Sequence, residues 1–215
     1  MGKTGSSSIQ LALLKNRELL FQNGFLVEIG QDTVAEMVKK NVPWYSIEGL
    51  HVGIDSIKQK LSQSGLSNFV WSWESFSTHI FTCQPENLQR LRALFPDASF
   101  KIIIYLRRQD LWLQSAYPQW AIKDKQEDGP VLSFQEWYER FRQGRLRWWQ
   151  PGDLDYYALL VSWAKVFGRN SLIIRVFEIG QLERGDVVSD FFKHSGLPQI
   201  EYNTQIQRVD RKSVV

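Results

Sequence analysis

Residues 100–106 read FKIIIYL and residues 171–177 read SLIIRVF. Apart from Lys101 the first run is apolar and β-branched, the pattern of a strand buried on both faces of a parallel sheet. It predicts a strand from Phe100 to Leu106, and the second run predicts another from Ser171 to Phe177. Asn68 to Trp73 reads as a third, closed by polar residues. Around these runs helical spacing recurs. Ser6 to Asn23 carries Ile9, Leu13, Leu14, Leu20 and Phe21 before Gly24, a helix stop. Further helices are predicted from Asp32 to Lys40, from Ile54 to Ser64 with Gly65 as its end, and from Pro85 to Phe95. Asp110 to Asp124 follows, kinked by Pro118, then Ser133 to Gln143. Tyr156, Leu160, Trp163, Ala164 and Phe167 share a helix face ahead of Gly168, and Val187 to Ser195 closes the series. Such alternation predicts an α/β fold, with a central parallel sheet flanked by helices and right-handed crossovers. Residues 1–198 then form a single domain, and residues 199–215 make a tail without periodicity.

Composition narrows the function classes. The 215 residues are 43% hydrophobic and 23% charged, enough apolar material for one core. Twenty-six basic against 23 acidic side chains leave a net charge of +3, so no global field marks a nucleic-acid partner and any anion site must be local. Cys83 is the single cysteine. It excludes an intramolecular disulfide framework and a thiolate-rich metal site, and favours a reducing, cytoplasmic setting. The longest apolar runs are too short to span a bilayer, and no signal-peptide pattern opens the sequence. Nine tryptophans are many, and Trp148 and Trp149 sit among cations in RLRWWQ; packing is the favoured role over stacking on a sugar or base.

Two segments carry chemistry. MGKTGSSSIQ (1–10) sets small residues and Lys3 directly before a helix, so backbone N–H groups and the helix N-terminus converge on one point suited to an anion. A capped helix behind a frayed tail is the plainer alternative. In YLRRQDLWLQSAY (105–117), Arg107 stands at the carboxyl end of a strand, where ligands of open α/β sheets bind, and Ser115 lies eight residues on. Arg107 and Arg108 pairing with Asp110 is the structural alternative there.

Together these segments resemble the signatures of sulfotransferases: a lysine, a Thr-Gly pair and a hydroxyl run opening the first helix, then strand, arginine, seven residues and serine. Looser resemblance extends through DYYALLVSWAKVFG and SLIIRVFE to cover about residues 2 to 195, with the flavour of bacterial sulfotransferase-like proteins. The resemblance implies a three-layer P-loop-like fold and 3′-phosphoadenosine 5′-phosphosulfate as donor. It assigns Lys3, Thr4, Gly5, Ser6, Ser7 and Ser8 to the 5′-phosphosulfate, and Arg107 and Ser115 to the 3′-phosphate. It also implies catalysis by Lys3 and by an acid or histidine near the end of the strand in VWSWESFSTH, with Glu74 the first choice as general base and His79 the second. A sulfuryl group carries less charge than a phosphoryl group, so no metal is expected. The sequence leaves the acceptor open among a carbohydrate, a lipid, a small alcohol and a protein side chain, and a small molecule or carbohydrate bearing a hydroxyl or amine is the expectation.

Two departures from the family pattern stand out. The strand that precedes the family's P-loop has no counterpart before Met1, and the glycine-rich donor clamp of cytosolic animal enzymes has none in the tail. Two other readings stay open: a P-loop kinase, since GKT matches the end of that motif, and a non-catalytic remnant or binding module.

Overall fold

A computed structural model describes residues 4–42, 47–77, 85–123, 128–146 and 150–198. Lys3, His79, Cys83, the Trp148–Trp149 pair and the 199–215 tail lie outside the described residues. The predicted first helix is two: α1 (Ser6–Lys15) and α2 (Arg17–Gln22). Between them Asn16 is buried, and its side-chain amide donates to the Ala12 carbonyl at 2.8 Å, a local bond that competes with continuation of the helix. Gly24 then turns the chain with a φ of 86° into β1 (Phe25–Ile29), a strand that periodicity did not reveal.

Thereafter the order is α3 (Gly30–Lys39), α4 (Ile47–Ser64), β2 (Asn68–Ser72), α5 (Pro85–Leu94) and β3 (Ile102–Leu106). Helix α6 (Gln109–Tyr117) follows and runs into a π-helical turn over Pro118–Lys123, as expected where proline removes a backbone donor. Next come α7 (Phe134–Arg142), α8 (Tyr156–Phe167), β4 (Leu172–Val176) and α9 (Val187–His194). Ser133 caps α7 by accepting from the Glu136 N–H while Glu136 reaches back to the Ser133 N–H at 2.9 Å, a reciprocal capping box.

Among the described residues all strand pairing is parallel, as the alternation of helix and strand predicts. β1 pairs with β2, Val27 opposite Val70, and β3 pairs with β4, Ile104 opposite Ile174. The single central sheet expected from sequence is instead two sheets of two strands, because no strand among the described residues joins β2 to β3.

Helices nevertheless cover both faces. One core combines Ile9, Ala12 and Leu13 of α1 with Val27 and Ile29 of β1, Val70 of β2, Ile103 and Tyr105 of β3, and Val188, Phe191 and Phe192 of α9. The opposite core combines Met37, Leu50, Ile54, Leu88 and Leu91 from α3, α4 and α5 with Trp71 of β2, Ile102, Ile104 and Leu106 of β3, and Leu159 and Trp163 of α8. Residues of β3 therefore alternate between two apolar environments, as a strand enclosed on both faces must. A third cluster, around Trp112, Trp137 and Phe141, holds α6 to α7. Trp71, Trp73, Trp112, Trp120, Trp137 and Trp163 all serve as packing. No helix among the described residues is long and apolar enough to cross a membrane.

A buried polar network ties α9 to the strands. Asp190 is fully buried and accepts from the Tyr105 hydroxyl at 2.8 Å, from Arg175 Nε at 2.9 Å and from the Glu183 N–H at 3.0 Å. Burial raises the Asp190 carboxyl, but Arg175, the Glu183 N–H and Tyr105 together hold it below the usual carboxylate range. Burial and the same carboxylate push the Tyr105 phenol well up.

Candidate functional site

The first turn of α1 is anchored at its entry. Thr4 is buried, and Gly5 takes a φ of 78° as the N-cap. Glycine is needed there twice over. Its left-handed backbone disfavours a Cβ, and a Cβ would stand 2.8 Å from Val187 Cγ1 and 3.0 Å from Phe177 Cε2. Ser6 and Ser8 are half-buried and Ser7 is exposed. Thr4 and Gly5 are thus packed in place, while residues 1–3 lie outside the described residues.

Ser6 donates a hydrogen bond to Glu74 Oε1 across 68 residues of sequence. Glu74 opens a short turn (Glu74–Ser77) that follows β2. Gln10, one turn further along α1, donates through its side-chain amide to the Ser72 carbonyl at 3.3 Å. Helix α1 thus begins beside the carboxyl end of β2, and its positive end faces a carboxylate. Behind Glu74, Trp73 stacks on Trp71 at 5.7 Å between ring centres, and Phe76 packs edge-on to both and to Trp163 of α8. This aromatic wall fixes where β2 ends.

Arg107 leaves the carboxyl end of β3. Its guanidinium lies over the Phe177 ring at 5.7 Å, and Phe177 is the ring that crowds Gly5. The Phe177 N–H in turn donates to the Leu106 carbonyl at 2.7 Å, continuing the β3–β4 pairing by one residue. Arg107 and the start of α1 therefore share one ring as a neighbour. Arg108 takes the structural role, pairing with Asp110 at 2.8 Å on the exposed surface. Ser115 is half-buried on α6, whose first residue comes two after Arg107.

Sequence reasoning missed Tyr156 and Phe177. The Tyr156 hydroxyl donates to the Arg107 carbonyl at 2.6 Å, so α8 holds the backbone from which the guanidinium projects. Burial pushes the Tyr156 phenol up to about 12, with the nearby Arg107 charge working the other way. The signal was present in DYYALL: Asp155 caps α8 by accepting from the Ala158 N–H at 2.9 Å, which fixes Tyr156 as the first helical residue. Phe177 carried no chemical signal, being one apolar residue at a strand end.

The structure sets Ser6 against Glu74 just past β2, and Gly5 against the Phe177 ring over which Arg107 lies at the end of β3; the carboxyl end of an α/β layer is where ligands bind. Lys3 and His79 fall outside the described residues. Among the described residues no group of three His, Cys, Asp or Glu side chains lies close enough to hold a metal ion.

No family model and no solved structure matches the chain. An uncharacterized protein of Archaeoglobus fulgidus is 33% identical over 101 residues, 47% of this chain. The chain spans 23% of that protein's length.

Proposed function

We propose that the chain is a sulfotransferase that moves a sulfuryl group from 3′-phosphoadenosine 5′-phosphosulfate to a hydroxyl or amine acceptor. The observation that carries the reading is the Ser6 to Glu74 hydrogen bond, since it joins the donor-binding turn to the candidate base. The parallel α/β layering with helices on both faces accords with a three-layer P-loop-like fold. The proximity of Arg107 to Gly5 through Phe177 accords with one donor bridging both segments.

In this mechanism the 5′-phosphosulfate lies on the first turn of α1, where N–H groups of Gly5 to Ser8 and the helix dipole favour an anion. The Ser6 hydroxyl turns from Glu74 to a donor oxygen, which frees the carboxylate for the acceptor. The acceptor oxygen attacks sulfur in line, its proton passes to Glu74, and the bond from sulfur to the bridging oxygen breaks. Lys3 neutralises charge on that oxygen, and adenosine 3′,5′-bisphosphate leaves. Arg107 and Ser115 hold the 3′-phosphate, a charge-assisted contact of the stronger kind. Turnover of labelled donor with a panel of small alcohols and carbohydrates, in wild type and Glu74→Gln, tests the reading. Transfer abolished by Glu74→Gln supports it, and no transfer to any acceptor by a chain that binds the bisphosphate contradicts it.

A further inference from the structure

We infer that the outer edge of β4 is a homodimer interface, where β4 pairs antiparallel with β4 of a second copy about a two-fold axis at Ile174. The inference stands on the geometry of β4 and does not depend on the sulfotransferase reading. Among the described residues β4 pairs on one side only, with β3. The Phe177 N–H donates to the Leu106 carbonyl, so by alternation the backbone groups of Ile173 and Arg175 also turn to β3. Those of Leu172, Ile174 and Val176 turn outward. The side chains sort in the same way. Leu172 packs into the core beneath α8, while Arg175 reaches Asp190 of α9 through Nε at 2.9 Å. Ile174 and Val176 therefore share the α8 face with Leu172, and they are 47% and 45% exposed. β1 is likewise paired on one side only, but its Val27, Glu28 and Ile29 are all buried. Free edges are commonly blunted by lysine, proline or a bulge. β4 has an unbroken register and no proline, and its one charge is engaged inward by Asp190.

The sequence of β4 selects a second copy as the occupant. In an antiparallel pair centred on Ile174, that residue faces its own counterpart and Leu172 faces the partner's Val176. These are the positions whose N–H and C=O groups point outward, so every outward group of the strand finds a partner in the same register. Their side chains then form one apolar strip across the axis, which covers the exposed Ile174 and Val176. Between them Ile173 faces the partner's Arg175, and no like charges meet. Moving the axis to Arg175 would set two guanidinium groups opposite each other, a destabilising arrangement. LIIRV is thus complementary to itself in the register centred on Ile174, as an isologous interface requires.

Sedimentation of the 215-residue chain tests this. A dimer is expected at about 100 μM, dissociating on dilution. Ile174→Lys sets like charges on the axis and is expected to give a monomer with the circular dichroism spectrum of wild type. A pair of cysteine variants, made in a Cys83→Ser background, decides the question whether or not Ile174→Lys folds. Ile174→Cys is expected to form a covalent dimer with oxidised glutathione, since opposed Cα atoms of a hydrogen-bonded antiparallel pair lie about 5.5 Å apart, within disulfide reach. Ile179→Cys replaces a residue that is 80% exposed but lies beyond the strand and off the axis, and it is expected to stay uncrosslinked. A monomeric wild type at that concentration, a dimer that Ile174→Lys leaves intact, or cross-linking through Ile179→Cys as fast as through Ile174→Cys overturns the inference.

Discussion

The hydroxyl of Ser6, first residue of α1, donates to Oε1 of Glu74, two residues beyond β2. A carboxylate so placed satisfies part of the positive helix end, and under the proposed function a bound anion competes for the same hydroxyl. Glu74→Gln removes the negative charge from that position. It is expected to bind adenosine 3′,5′-bisphosphate at least as tightly as wild type and to lose turnover by about a hundredfold or more. Near-normal turnover in Glu74→Gln, with loss in His79→Ala, transfers the base to His79.

Arg107→Ala should weaken bisphosphate binding by about 2 kcal/mol or more, roughly thirtyfold in Kd, the usual worth of a charge-assisted contact. Tyr156→Phe keeps the packing and deletes only the 2.6 Å bond to the Arg107 carbonyl. It is expected to cost about 1 kcal/mol in stability and to weaken bisphosphate binding by a smaller factor than Arg107→Ala. Calorimetry on the two variants checks both. Equal affinities for wild type and Arg107→Ala would remove Arg107 from the site.

Gly5→Ala places a methyl group 2.8 Å from Val187 and strains a backbone at φ 78°. The strain alone is worth about 1–2 kcal/mol, and overpacking adds about 1–3. A fall in Tm of several degrees is expected, along with weaker bisphosphate binding from displacement of the first turn. An unchanged Tm contradicts the docking of Gly5 against Phe177 and Val187.

Asp190 is expected to contribute stability that is lost at acid pH. Its folded carboxyl titrates below the ordinary value of 3.8, because Arg175, the Glu183 N–H and Tyr105 outweigh burial. The stabilisation is therefore complete above the unfolded value and lost as pH falls through the lower, folded one. Asp190→Asn is expected to lower stability by about 3 kcal/mol at pH 7, since it leaves Arg175 and the Tyr105 hydroxyl poorly paired. The difference from wild type should shrink in denaturant titrations as pH drops below about 4. A difference that persists undiminished at pH 2 would place the stabilisation in packing instead.

Where the pattern was local, sequence sufficed. The β3 and β4 runs, the helix starting at Ser133 and the stops at Gly65 and Gly168 all rest on neighbours within a few residues. β1 was hidden by Glu28, a charged residue in an otherwise apolar pentamer, whose burial is tolerated through Lys60 Nζ at 2.7 Å, 32 residues on. Burial raises the Glu28 carboxyl against the pull of Lys60, so the charge buried in FLVEI depends on a partner distant in sequence. Helix α4 begins at Ile47 rather than Ile54, through Gly49 and Gly53, residues that argue against a helix. Gly53 is there for tertiary reasons: a Cβ would meet Thr33 Cγ2 at 2.7 Å and Trp71 Cζ2 at 3.1 Å. In the site, the residue types of Ser6, Glu74 and Arg107 were legible. Their meeting through Phe177 and Tyr156 depends on strand order, which spacing along the chain does not encode.

Calorimetric titration of the 215-residue chain with adenosine 3′,5′-bisphosphate in magnesium-free buffer tests the central claim most directly. The account predicts saturable binding of one equivalent, weakened roughly thirtyfold by Arg107→Ala. A folded chain that binds a magnesium–ATP analogue and not the bisphosphate would contradict it.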